Sequence, residues 1–199
     1  MKDLYPFFTF YYKTLDEKGH PKSMNIIRDK LDTEFIFHME DDWKFFERRN
    51  YITECMEVLS SDINYGQCLI NRNYAEVYNE NDIVGGEIKH TKKGLRYCVH
   101  EFASTNDEKQ AFINKHGNKK NSSYWPHYSF RPSLITKQVF TLVGEFNINA
   151  EHFEIEYSYR YNKTGFKSVF LDGIHCLHIG RLTNERHDKT KKNAYDLNN

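Results

Sequence analysis

The 199-residue chain lacks several features that would each indicate a class of protein. Lys plus Arg and Asp plus Glu both number 28, so there is no net charge to favour nucleic acid, and we expect no nucleic-acid partner. The four cysteines are scattered without a CxxC pair, which argues against a zinc knuckle and a disulfide framework. No apolar run is long enough for a signal peptide or a membrane span. We therefore expect a cytoplasmic protein without a membrane span.

The composition that remains is typical of a folded domain. Hydrophobic residues make up 39% of the chain and aromatic residues 16%, which argues against intrinsic disorder. The length suits one domain, and no linker or internal repeat divides it. The positive charges cluster towards the end of the chain. We expect a single domain over residues 1–199 with a charged, solvated tail over 182–199.

The hydrophobic pattern predicts alternating strands and helices. Short apolar or aromatic runs predict strands at 4–13, 34–39, 68–70, 75–78, 166–171 and 175–179. Helical spacing and capping residues predict helices at 24–31, 51–60, 136–143 and 152–161, with a short one between 106 and 120. Regular structure is also expected over 124–134. The predicted class is mixed α/β.

An acidic turn, Glu40-Asp41-Asp42, follows the predicted buried strand at 34–39. Ligands bind at the carboxyl ends of strands in open α/β sheets. Three adjacent carboxylates repel one another unless a cation offsets their charge, and Mg²⁺ or Mn²⁺ with diphosphate oxygens would suit them. The alternative is an acidic loop that begins a helix, where the helix dipole favours negative charge.

Two other segments carry candidate site residues with equally simple structural explanations. In the helix predicted at 152–161, Glu154 is a candidate general base, whereas Glu156 and Arg160 have the spacing of an ordinary i,i+4 pair. In the strand predicted at 175–179, His175 and His178 point to opposite faces, so at most one is a ligand and either could be structural.

A dense aromatic cluster lies between 125 and 131 and includes Trp125 and His127. Such side chains could stack on a sugar ring or belong to the core, and the sequence does not separate these two roles.

Taken in order, four stretches resemble the family 2 glycosyltransferases of the GT-A fold, including transferases of giant DNA viruses. They are GHPKSMNIIRDKLDTEFIFHMEDDW (19–43), WPHYSFRPSLITKQVFTLVGEF (125–146), FEIEYSYRYNKTGFKSVF (153–170) and GIHCLHIGR (173–181). Gly19, Ser23 and Asn25 match the family's lead-in to its Asp-x-Asp metal motif, which Glu40 to Asp42 matches with Glu first. The Pro-Ser-Leu strand and Gly-x-Phe turn of the family match Pro132, Ser133, Leu134, Gly144 and Phe146.

The resemblance implies specific roles. It assigns the metal, Mn²⁺ or Mg²⁺, to Glu40, Asp42 and His178, and contact with the nucleotide-sugar to Glu40, Asp41 and Arg160. Glu154 takes the position of the catalytic base, where many relatives have Asp. Trp125, His127 and Glu156 would contact the acceptor, which is a carbohydrate or a protein hydroxyl.

The implied fold is a partial GT-A domain, a Rossmann-like mixed sheet flanked by helices, that lacks the first strand–helix–strand unit. The implied activity is metal-dependent transfer of a sugar from a nucleotide-sugar to a hydroxyl, with inversion. If the protein is viral, the host cytoplasm or the virion is its location. The alternatives are a non-catalytic remnant or carbohydrate-binding module and, less favoured, a metal-dependent hydrolase.

Overall fold

The computed structural model describes residues 2–72, 84–117 and 125–179, which form a mixed α/β fold. The strands are β1 (Phe35–His38), β2 (Trp43–Phe45), β3 (Tyr65–Leu69), β4 (Glu87–His90), β5 (Arg96–Val99), β6 (Ser133–Thr136), β7 (Lys167–Leu171) and β8 (Cys176–His178). The helices are α1 (His20–Asp29), α2 (Tyr51–Leu59), α3 (Asn106–His116), α4 (Lys137–Val143) and α5 (Phe153–Lys163), and a 3₁₀ turn covers Leu15–Glu17.

Six of the strands form one mixed sheet in the order β1-β6-β3-β7-β5-β4. Strand β6 is antiparallel to both of its neighbours, β1 and β3, and β3 is parallel to β7. Strands β1, β3 and β7 therefore run in the same direction, and their carboxyl ends share one edge of the sheet. The other two strands, β2 and β8, pair antiparallel in a separate small sheet.

Helices cover the main sheet, and strand β6 shows the two layers most clearly. Leu134 packs in the cluster that contains Cys55 and Val58 of α2, whereas the next residue, Ile135, packs with side chains of α1, α4 and α5. Successive strand residues point to opposite faces, so β6 is buried on both sides. Burying one such side chain contributes about 1.5–3 kcal/mol.

The structure confirms most of the regular elements predicted from the sequence. Strands β1, β3, β7 and β8 and helices α2, α3, α4 and α5 all occur within a few residues of their predicted bounds. The predicted coarse class, a mixed sheet flanked by helices, is also confirmed. None of the helices in the described part of the chain is both long and apolar enough to cross a membrane.

The strand predicted at 4–13 is wrong. This segment forms turns and irregular backbone, and its aromatic side chains pack mainly on one another; Phe7, for example, is 76% exposed. Pro6 has no N–H to donate to a neighbouring strand, and aromatic residues follow one another here without the alternation that would bury one face.

The other differences between the predicted and the observed structure concern the first residue of a helix and several short elements. Helix α1 begins at His20 rather than at 24, because Pro21 suits the first helical turn, where no N–H partner is needed. Within the regular structure expected over 124–134, the described residues 125–132 are largely irregular, and β6 begins at Ser133. Strand β2 and the β4–β5 hairpin were not predicted. The strand predicted at 75–78 and the tail at 182–199 lie outside the described residues.

Candidate functional site

The acidic turn lies at the carboxyl end of β1 and leads directly into β2. Trp43 pairs with His178 across the small sheet, and the Ile179 N–H donates to the Asp42 carbonyl at 2.7 Å. The chain after the turn is therefore a strand, and the next helix begins only at Tyr51. The explanation of the acidic residues as the beginning of a helix is thus wrong.

Asp42 contacts His178, which lies 136 residues later in the chain. The His178 Nε2 is 2.9 Å from the Asp42 Oδ2. The His178 side chain is 8% exposed, whereas that of Asp42 is 33% exposed. The other carboxylate oxygen, Asp42 Oδ1, is buried and has no hydrogen-bond partner among the described residues. Asp42 therefore has an oxygen whose hydrogen-bonding capacity is unused within the described residues.

Glu40 is a partly buried carboxylate among other acidic residues at this edge. Burial raises its pKa to about 7, and the charges of Asp42, Glu154 and Asp41 add to the rise. His20, the first residue of α1, places its Nε2 3.7 Å from the Glu40 Oε1. Burial and the charge of Lys13 lower the pKa of His20, so it is a weak compensating cation. A bound cation would relieve this repulsion.

Glu154 lies in the first turn of α5, and its carboxylate is oriented towards the loop before β6. Its Oε1 accepts a hydrogen bond from the Phe130 N–H at 3.0 Å and another from the Ser129 hydroxyl at 3.3 Å. Burial raises the pKa of Glu154, although these bonds and the charge of Arg131 oppose the rise. Glu154 forms no ion pair within the described parts of the chain. We refer to Glu40, Asp42, Glu154 and His178 as the acidic edge.

Buried Gln67 of β3 holds the loop that orients Glu154. Its Nε2 donates to the Ser129 carbonyl at 2.5 Å and to the Ser133 hydroxyl at 2.9 Å, and its Oε1 accepts from the Ser129 N–H at 3.1 Å. Gln67 is fully buried, so its amide positions Ser129 rigidly. Gln67, Ser129 and His20 were not predicted as site residues; for Gln67, the available signal was a polar residue directly before the predicted strand at 68–70.

Arg131, in the predicted aromatic cluster, is buried and holds the chain that follows β3. Its Nη1 donates to the Arg72 carbonyl at 2.6 Å, and its guanidinium lies 5.6 Å from the ring centroid of Phe170. The side chain is only 4% exposed. Its positive charge lowers the pKa of Glu154, so it favours the ionised form of that carboxylate.

The small sheet is fixed to the main sheet by Asn71. The Asn71 Oδ1 accepts from the N–H groups of His175 at 2.7 Å and Cys176 at 3.2 Å, and its Nδ2 donates to the Cys176 carbonyl. This clamp fixes β8, and therefore His178, relative to the carboxyl end of β3.

His175 and His178 have different surroundings, as their spacing predicted. The His175 Nδ1 is 2.8 Å from the Glu47 Oε1, and its Nε2 is 2.8 Å from the Asp172 carbonyl oxygen. The Arg49 Nη1 also lies 3.3 Å from both ring nitrogens. These contacts hold His175, which is 5% exposed, within the fold, and His178 is the histidine at the acidic edge.

Glu156 and Arg160, both predicted site residues, lie at the junction of α4 and α5. The Arg160 guanidinium donates to both oxygens of Glu156 at 2.6 and 2.9 Å, and to the carbonyls of Val143 at 2.5 Å and Glu145 at 2.6 Å. Arg160 therefore closes the open end of α4. We refer to Val143, Glu145, Glu156 and Arg160 as the α4–α5 joint.

The two predicted aromatic contacts are also engaged within the fold. His127 is 6% exposed and has a backbone φ of 62°, and its ring packs edge-on against that of His100 at 4.9 Å. Trp125 is partly exposed, and its Nε1 donates to the Tyr128 carbonyl at 2.6 Å. Of the two, only Trp125 has a surface that a ligand could reach without rearrangement.

The metal predicted at the acidic edge would find an incomplete protein shell. No group of three or more His, Cys, Asp or Glu side chains within residues 2–72, 84–117 and 125–179 is arranged to hold an ion. Asp42 and His178 are in contact, the buried Asp42 Oδ1 has no hydrogen-bond partner among the described residues, and burial and the charge of Asp42 raise the pKa of Glu40. A cation at this edge would need further ligands, such as the oxygens of a bound diphosphate, to complete its shell.

Comparison with known proteins adds nothing to this geometry. No protein-family model matches the chain, and no curated protein and no solved structure matches it.

Proposed function

We propose that this chain is a metal-dependent glycosyltransferase that moves a sugar from a nucleotide-sugar to an acceptor hydroxyl with inversion. The observation that carries the proposal is the contact between Asp42 and His178. These two residues were assigned to one metal site by separate motifs, and they meet at 2.9 Å across 136 residues of chain.

A second contact between resembling stretches supports the same proposal. The Asn25 amide donates to the Phe146 carbonyl at 2.9 Å and accepts from the Phe146 N–H at 2.7 Å. Asn25 belongs to the lead-in motif and Phe146 to the Gly-x-Phe turn. Their reciprocal pair attaches α1 to the turn after α4, so the two motifs act as one structural unit.

The donor half of the proposed reaction depends on Asp42, His178 and Glu40. A divalent cation held there supplies a Lewis acid that neutralises charge on the leaving diphosphate. Asp42 and Glu40 would hold the cation, and His178 fixes the orientation of the Asp42 carboxylate. Burial and the neighbouring carboxylates raise the pKa of Glu40, and a bound cation would favour its ionised form.

The acceptor half depends on Glu154. The hydrogen bonds from Phe130 and Ser129 both reach Oε1, so they orient the carboxylate, and Oε2 takes part in none found in the described chain. We assign Oε2 to receive the proton of the acceptor hydroxyl. The raised pKa increases the proton affinity of the base, which favours general-base catalysis near neutral pH.

The alternative is a carbohydrate-binding module or a remnant without activity. The observation that favours it is the incomplete ligand set, because no three protein side chains in the described part of the molecule are arranged to hold an ion. This alternative predicts sugar binding without turnover of any nucleotide-sugar.

The test is the release of nucleoside diphosphate from a panel of nucleotide-sugars in the presence of Mn²⁺, with and without sugar acceptors. We expect turnover by the wild-type protein and none by Asp42→Ala, whose thermal unfolding should remain close to wild type because the side chain is 33% exposed. A folded wild-type protein that neither binds nor turns over any donor would contradict the proposal. If Asp42→Ala unfolded instead, the acidic turn would be structural.

A further inference from the structure

A small cavity lies on the same sheet edge as the acidic residues but at a different strand pair. Its volume is about 180 Å³, and it is lined by Arg72, Ile88, Cys98, Leu171, Asp172, Gly173 and Ile174. Arg72 follows β3, and Asp172 and Gly173 follow β7. The cavity therefore adjoins the carboxyl ends of two adjacent parallel strands, β3 and β7, and is also lined by Ile88 of β4 and Cys98 of β5.

The topology explains why a crevice forms there. After β3, the next described strand is β4, which lies beyond β7 and β5 in the sheet. After β7, the chain enters β8, which pairs with β2, the strand that follows β1 at the opposite end of the sheet. Two parallel neighbours whose connections leave in opposite directions create a crevice, and ligands of open α/β sheets bind in such crevices.

The lining combines one cation, one carboxylate and an apolar wall. The Arg72 Nη2 donates to the Gly85 carbonyl, and its buried Nε has no partner among the described residues. Asp172 pairs with Arg96 at 2.7 Å, and its side chain is 43% exposed. The aliphatic side chains of Ile88, Leu171 and Ile174 complete the wall.

This combination is suited to a neutral sugar ring. A guanidinium and a carboxylate together offer donors and acceptors to neighbouring hydroxyls, while aliphatic side chains cover the C–H face of a ring. A free phosphate or carboxylate suits the cavity less well, because the three aliphatic side chains of its wall offer a charged group no hydrogen bond. The volume is below the roughly 300 Å³ at which pockets for drug-sized ligands begin, so the cavity accommodates one ring.

We propose that this cavity binds a sugar ring of the acceptor, an assignment that rests on the proposed transferase activity. The carboxyl ends of β1 and β7 are three strand spacings apart, which corresponds to about 14 Å. A ring in the cavity is therefore separate from the cation and diphosphate proposed at the end of β1, and we place the reacting hydroxyl on another ring of the same acceptor. The acceptor that follows from this separation is an oligosaccharide or a glycan with more than one ring.

The test is a titration of the ¹⁵N-labelled full chain with neutral disaccharides, in which changes in the amide chemical shifts report binding. We expect shifts at Ile88, Gly173 and Ile174, and no comparable shifts with inorganic phosphate. Ile174→Trp should weaken binding by about tenfold or more, because the larger ring occupies the cavity. Ile174 is 52% exposed, so the variant should fold; Ile88→Trp, at a residue 43% exposed, provides a second block.

The matched control is Ile63→Trp, because Ile63 is 83% exposed and does not line the cavity. This variant should bind the disaccharide as the wild type does. No shift at these amides in folded wild type, binding by Ile174→Trp equal to that of Ile63→Trp, or shifts with phosphate alone would each overturn the proposal.

The same samples separate this proposal from the proposed activity. Ile174→Trp should still bind a nucleotide-sugar with Mn²⁺, since the cavity does not include the acidic edge. If the disaccharide binds at the cavity but no nucleotide-sugar binds, the proposed sugar site is supported and the proposed transferase activity is contradicted.

Discussion

Helix α5 contributes one glutamate to each of two regions. In one region the glutamate forms an ion pair, and in the other it forms none with the described residues. At the α4–α5 joint, Glu156 is paired with Arg160, which also donates to two carbonyls. At the acidic edge, Glu154 forms no ion pair within the described residues, and its charge helps to raise the pKa of Glu40 to about 7. The two glutamates are two residues apart in the chain.

The difference indicates which region is arranged for folding and which for binding. A satisfied ion pair with extra hydrogen bonds needs no ligand to explain it. Carboxylates gathered at a strand end without a cation reduce stability, and perturbed groups of this kind cluster at functional sites. Removing charge should therefore have opposite effects in the two regions.

The largest expected effect is on catalysis at Glu154. Glu154→Gln keeps the shape of the side chain but removes the base, so transfer should fall on the order of 10²–10⁴-fold. The measurement is the initial rate of nucleoside diphosphate release at saturating acceptor. Glu156→Gln is the matched control on the same helix and should lose less than about tenfold. Equal losses in the two variants would remove the distinction between the regions.

The next effect is on stability at Arg160. Arg160→Ala leaves the carbonyls of Val143 and Glu145 without this donor, so the free energy of unfolding should fall by about 2 kcal/mol. Denaturant unfolding measures it, and Mn²⁺ binding should be retained. Lys163→Ala, at an exposed position in the last turn of α5, should be close to neutral. Loss of Mn²⁺ binding by a folded Arg160→Ala would instead place Arg160 at the nucleotide-sugar, as the resemblance implies.

The smallest effect is a gain in stability at Glu40. Its pKa in the folded protein is raised, so the folded state keeps the proton longer than the unfolded state, and wild-type stability falls as pH rises from about 4.5 to about 7. Glu40→Gln does not titrate there. Its Tm should exceed that of wild type by about 1–3 °C at pH 8, with solvent screening of this partly exposed group allowed for, and the difference should shrink below pH 5.

Thermal unfolding across pH in the absence of divalent cations checks this prediction. Glu151→Gln is the control, since the Glu151 side chain is 91% exposed, and its Tm should follow that of wild type. A lower Tm for Glu40→Gln at pH 8 would show that Glu40 stabilises the fold and is not held in a strained site.

The elements that the sequence predicted well have strong local signals. Helix α4 begins after Thr136 and ends at Gly144, and the apolar run of β1 ends at the acidic turn. The aromatic segment at 4–13 was misread because β-propensity depends on a partner strand, and no strand forms there. The β4–β5 hairpin was missed because each strand has only four residues and neither shows a regular alternation of polar and apolar side chains.

The residues of the candidate site could be predicted only where they match a motif of the resembling glycosyltransferase family. Asp42 and His178 were predicted for one site, but their contact depends on the pairing of β2 with β8, which local patterns do not encode. Glu154 is oriented by Ser129, which is in turn held by Gln67. Gln67 and Ser129 are 62 residues apart in the chain, so their contact depends on the order of strands in the sheet. Long-range hydrogen bonds of this kind leave little mark on local periodicity.

The most direct test of the proposed metal site is a measurement of Mn²⁺ binding at the acidic edge. The electron paramagnetic resonance signal of free Mn²⁺ at neutral pH reports this binding. Wild type and Asp42→Ala would each be titrated with and without UDP and GDP. We predict that wild type binds Mn²⁺ more tightly when a diphosphate is present, and that folded Asp42→Ala loses this binding. Mn²⁺ binding that is equal in the two proteins, or absent from folded wild type with either nucleotide, would contradict it.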